Sequence, residues 1–134
     1  MDVRNVIQDD AIIPDSDLTV SGGATPAVTG RVVHVGDVVS PFSLFLKNEG
    51  NSTSLTVTYQ IGFVDEADKG SDPTITWVTP ADGGAIDDFA AVDINNNQKH
   101  ASINLAVSEY YRFIVTNNDG GNTAKVSLYL VRQV

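Results

Sequence analysis

Between Ser54 and Phe63 the chain alternates without a break. Leu55, Val57, Tyr59, Ile61 and Phe63 occupy the odd positions, and Thr56, Thr58, Gln60 and Gly62 the even ones. A strand turns successive side chains to opposite faces, whereas a helix would scatter these five apolar residues round its circumference. The segment therefore reads as a half-buried β-strand. A sheet with one apolar face needs a second layer to cover it.

The same period recurs along the chain. Phe42, Leu44 and Leu46 alternate with Ser43, Phe45 and Lys47, and Asn48-Glu49-Gly50-Asn51 then supplies a turn. Thr74–Thr79 forms another strand, closed by Pro80. Ala101, Ile103, Leu105 and Val107 alternate with Ser102, Asn104 and Ala106, and Phe89–Ile94 gives a fainter strand signal. The segment Ala85–Ala91 has room for one helical turn. Tyr110–Thr116 and Thr123–Val131 flank Asn117-Asn118-Asp119-Gly120-Gly121-Asn122, a loop rich in residues that tolerate positive φ. Composition agrees: 18 Val, 9 Ile and 11 Thr stand against 3 Glu and 4 Lys. The expectation is all-β: an antiparallel β-sandwich, immunoglobulin-like or jelly-roll-like, of about eight strands.

The first thirty residues differ. Asp2, Asp9, Asp10, Asp15 and Asp17 oppose Arg4, and Ser21–Gly30 is small and almost featureless. Leu18-Thr19-Val20 has the makings of one short strand, and Arg31–Val35 of another. The division predicted is an N-terminal arm and linker over 1–30, followed by a sandwich domain over 31–134. In that reading Val6, Ile7, Ile12 and Ile13 are apolar anchors with which the arm docks on a neighbour.

Charge and motif content narrow the function classes. Asp and Glu number 17, Lys and Arg 8, for a formal net charge of −9. Such a chain is poorly matched to a nucleic-acid backbone or an anionic membrane. No stretch approaches the roughly 18 apolar residues of a spanning helix. The N-terminus lacks a basic region followed by an apolar run, so no signal peptide is expected. With no cysteine there is no disulfide, thiolate site or cysteine nucleophile. His34 and His100 are the two histidines, and neither lies in a catalytic or zinc motif. The paired acids Asp9-Asp10, Asp65-Glu66 and Asp87-Asp88 read as solvated loop residues rather than as a hydrolytic pair. Asp65, Glu66, Asp68 and Asp72 crowd one loop and are candidate calcium ligands, although no Glu stands at the twelfth position of an EF-hand. Otherwise no cofactor is expected, and the chain reads as non-enzymatic.

Aromatic residues give the remaining candidates. Alternation puts Tyr111 and Phe113 on the core face of their strand, and Tyr110 and Arg112 on the other. Tyr and Arg recur as anchors of protein contacts, so Tyr110 and Arg112 are candidate partner-binding residues. Trp77, the sole tryptophan, reads more naturally as core than as a sugar platform.

Two stretches resemble known proteins. Leu46–Asn51 followed by Leu55–Tyr59 is similar to the strand–Asn-x-Gly–strand signature of bacterial immunoglobulin-like and adhesion-type modules. The closing hairpin, Tyr110–Asn118 to Val126–Leu130, resembles the end of small β-sandwich virion proteins of tailed bacteriophages, the head decoration, cement and fibre-associated proteins. That resemblance implies an accessory protein located in the virion, bound to capsid subunits or to sister copies in a homo-oligomer, with no catalytic residues. The alternatives are a cytoplasmic location and a carbohydrate-binding or adhesion-type module.

Overall fold

The computed structural model describes residues 6–8, 11–20, 25–34, 39–65 and 74–133. Ten strand segments lie among them: β1 (Val6–Gln8), β2 (Ile13–Leu18), β3 (Ala27–Thr29), β4 (Val33–His34), β5 (Val39–Asn48), β6 (Leu55–Val64), β7 (Ile75–Val78), β8 (Asn97–Ile103), β9 (Tyr110–Asn117) and β10 (Ala124–Gln133). Two antiparallel sheets pack face to face. In the first, β1 and β2 share one side of β10, followed by β5 and β8. In the second, β3 and β4 share one side of β9, followed by β6 and β7.

The pairs nest: β2 with β10, β3 with β9, β5 with β8, β6 with β7. Chain passes from one sheet to the other between β5 and β6. Of the two sandwich orders considered, this is that of the jelly roll. The core lies between the sheets. Leu44, Leu46, Leu55, Val57, Phe113, Val115, Val126, Leu128 and Leu130 are all at most 2% exposed. Each belongs to the apolar phase of its strand, so the alternation that makes the strand also makes the core.

The described segments of the first thirty residues, 6–8, 11–20 and 25–30, are built into the sandwich. β1 and β2 pair with β10, and β3 pairs with β9. Ile12 and Ile13 are each 1% exposed, and Ile12 N donates to Leu128 O at 2.8 Å. They are core residues of this chain, because β2 closes the open edge of β10 and carries them under it. Val6 and Ile7 stand opposite Gln133 and Arg132 on the same strand. Of the expected linker, residues 27–29 are strand and 21–24 lie outside the described residues.

Two other segments depart from the sequence pattern. Phe89–Ile94 is not a strand: a 3-10 turn at Asp87–Phe89 follows another at Ala81–Gly84. The segment then exchanges backbone hydrogen bonds with Leu55 through Val92, at 3.0 and 2.8 Å. It plugs the edge of β6 that short β7 leaves open, burying Phe89 and Ile94. The strand expected over 101–107 begins earlier, at Asn97, and ends at Ile103. Beyond it, tyrosine hydroxyls from the core face of the second sheet capture the backbone. Tyr59 Oη accepts from Ala106 N at 3.0 Å, while Tyr111 Oη donates to Ala106 O at 2.7 Å and accepts from Ser108 N at 3.0 Å.

The opposite end is closed by side-chain amides. Asn117 Nδ2 donates to Leu18 O and Asn122 O, and its Oδ1 accepts from Ser52 Oγ and Asp119 N. Asn48 Oδ1 accepts from Gly50 N and Lys125 N. Among the described residues no buried side-chain nitrogen or oxygen lacks a partner. Outside this buried set, Asp119 accepts from Thr53 N and Oγ1, Gly121 N and Asn122 Nδ2 at 2.9–3.0 Å. These bonds, the Thr53 N–H foremost, hold its carboxyl well below the usual carboxylate range.

Two outcomes follow. Ile13→Ala should lower the unfolding free energy by about 2–5 kcal/mol in urea denaturation, as a core truncation does. A loss below about 0.5 kcal/mol would place the side chain at the surface. The depressed Asp119 pKa contributes stability that is complete above the unfolded-state value of about 4 and fades as the pH falls below it. The stability gap between the native chain and Asp119→Asn should therefore shrink from about pH 6 to about pH 2.5 in matched urea titrations. A constant gap would mean that the ionised form is not what the loop holds.

Candidate functional site

The phase that buries Leu55, Val57 and Tyr59 turns the even positions of β6 outward. Register then fixes what stands beside them. Gly62 faces Tyr110 on one side and Trp77 on the other, and Tyr110 faces His34 on β4. One row of rings, interrupted by a glycine, thus crosses the outer face of the second sheet. His34 stacks on Tyr110 with ring centroids 4.7 Å apart and planes at 14°.

The glycine has a steric reason. A Cβ at Gly62 would lie 2.5 Å from Ile75 Cγ2 and 3.0 Å from Trp77 Cζ3. The indole of Trp77 rests directly against the strand backbone there, an approach that any larger residue would block. In the neighbouring row Arg112 faces Gln60. Its Cζ lies 4.4 Å from the centre of the Trp77 ring, a cation–π contact. Arg112 Nε donates to Gln60 Oε1 at 2.7 Å, and Gln60 Nε2 donates to Thr79 Oγ1 at 3.0 Å. The guanidinium is therefore held in place before any partner arrives. A side chain fixed in this way loses less entropy on binding than a free one.

The sequence candidates separate on the structure. Tyr110 and Arg112 come together on this face. Trp77, expected in the core, is half-buried on the outer face and belongs with them, because it sits on an edge strand in the outward phase. Ile12 and Ile13 lie in the core, and Val6 and Ile7 are on a strand of the other sheet, so the four do not join this face. Of the calcium candidates, Asp65 is exposed, while Glu66, Asp68 and Asp72 fall outside the described residues. Among the described residues no group of three or more His, Cys, Asp or Glu is placed to hold a metal ion. A cleft of about 380 Å³ runs between Asp82, Asp87, Asp88, Ser102 and Asn104. The histidines lie on opposite outer faces, His34 on Tyr110 and His100 on Phe45. Sequence reasoning weighed His100 only as a catalytic or zinc-ligating residue, and gave Phe45 and Tyr129 no role in a site. Their signal was an aromatic ring in the polar phase of its strand at Phe45 and Tyr129.

Arg112→Ala should uncover the indole, shifting Trp77 emission to the red and raising its quenching by acrylamide, with a stability loss of about 0.5–1 kcal/mol. Gly62→Ala should move the ring by the same readouts, since the added methyl would lie 2.5 Å from Ile75 Cγ2 and 3.0 Å from Trp77 Cζ3 and press on both. Unchanged emission in both variants would mean that neither contact positions Trp77.

No protein-family model and no curated protein sequence matches the chain. Among solved structures it is similar to one titled "Crystal structure of PirA", at 14% identity, over 94% of this chain and 96% of that chain, with a TM-score of 0.41. A likeness this distant carries no function across.

Proposed function

We propose that the chain is a non-catalytic binding protein that joins a larger protein assembly through the outer face of its second sheet. The supporting observation is the Arg112–Trp77 stack beside Tyr110. Trp, Tyr and Arg are the residue types that dominate binding energy at protein interfaces, and here they are adjacent, outward-facing and held by neighbours. The assembly we favour is a virion, with the chain as an accessory or decoration subunit on capsid proteins or sister copies. That choice rests on the resemblance of the closing hairpin. Many copies on one particle would make modest contacts strong through multivalency.

The alternative is a sugar-binding module with Trp77 as its platform. It is less favoured at that residue, because the guanidinium of Arg112 already lies on the ring and a sugar would have to displace it.

Gradient sedimentation of a lysate of the source, with the chain followed by mass spectrometry, tests the proposal. The chain should travel with particles of viral size, and the double variant Trp77→Ala/Arg112→Ala should leave them for the top of the gradient. Sedimentation of the native chain at one to a few times its own mass would overturn stable particle assembly.

A further inference from the structure

The outer face of the first sheet carries a second row of rings. Tyr129 on β10, Phe45 on β5 and His100 on β8 stand side by side in register. The next row holds Ser127, Lys47 and Gln98. Phe45 is 39% exposed, and its ring stacks on His100 at 5.1 Å with planes at 15°. A cavity of about 240 Å³ is lined by both rows, at Phe45, His100 and Tyr129 on one side and Lys47 and Gln98 on the other. Leu46 and Lys99, which alternate with these residues along β5 and β8, also line it, but their side chains lead away. Leu46 is fully buried in the core, and the Lys99 ammonium turns to the ring of Phe89, 5.9 Å away.

We infer that this groove is a binding site for a single pyranose ring of a glycan. The two walls differ in chemistry. The exposed parts of the stacked rings want an apolar surface, while the Gln98 amide and the Lys47 ammonium want oxygen acceptors. A wholly apolar occupant would strip water from those two groups without replacing its hydrogen bonds. A small ion would leave the rings unused. A pyranose meets both demands, with C–H bonds on its flat face and hydroxyls round its edge. The volume is below the roughly 300–1,000 Å³ of drug-sized sites, and suits one ring rather than a deeply enclosed chain. Glu49 Oε1 holds Lys47 Nζ at 2.7 Å, so one wall of the groove is braced from outside it. The site lies on the opposite outer face from Trp77 and is independent of protein contacts made there.

Amide-resolved NMR titration of the full chain with methyl β-glucopyranoside, N-acetylglucosamine and glucuronic acid tests the inference. At least one probe should give saturable shifts at Phe45, Lys47, Gln98, His100 and Tyr129, with a Kd in the millimolar range. Phe45→Ala and Gln98→Ala should each weaken that response about tenfold or more while retaining the native spectrum elsewhere, and Trp77→Ala should leave it unchanged. No saturable shift up to about 100 mM with any probe, shifts centred on Trp77, or a response indifferent to Phe45→Ala would each overturn it.

Discussion

The side-chain amide of Asn117 holds together what the backbone ladders cannot. It stands where β9 gives way to the last loop, and it bonds to the end of β2, to Ser52 between β5 and β6, and to both halves of its own loop. Leu18 belongs to the first sheet and Asn117 to the second. One buried group therefore fixes how the two sheets sit on one another at that end. Within the first sheet, Asn48 ties the turn that follows it to Lys125 on β10 and to Ser52. Nested pairing joins residues far apart in sequence, so closing the long loops carries an entropy cost that these contacts have to offset. Polar groups satisfied on all sides give such an end a unique geometry.

At the far end the same task falls to Tyr59 and Tyr111. Their rings fill the core while their hydroxyls reach the backbone of the loop after β8. Ala106 and Ser108 are held on either side of Val107, whose side chain is left 99% exposed. The ladder ends at Ile103 for this reason, although the sequence keeps its alternation to Val107. Hydrogen bonds from outside the strand outcompete local propensity.

The long strands were legible because β6, β9 and β10 each bury an unbroken apolar phase and leave a mixed phase outside. The fate of the first thirty residues was not. Ile12 and Ile13 sit among acids and small residues, and only the bare edge of β10 explains why they are buried. Tyr110 and Arg112 could be placed outward from alternation alone. Their meeting with Trp77 depends on the register between β6, β7 and β9, which no single strand encodes. Phe45 and Tyr129 show the same limit. Each looked like an isolated ring out of phase, and cross-strand pairing makes them neighbours.

Gly62 gives the outer face of the second sheet a property that its larger residues do not. The position is a mould whose depth is set by a missing carbon. Its strand neighbour Ile61 packs against the core on the opposite face, so filling the mould would alter surface relief while sparing the hydrophobic interior. Shape on this face and cohesion within the sandwich are thereby separable, and lineages or designers could vary the first without spending the second.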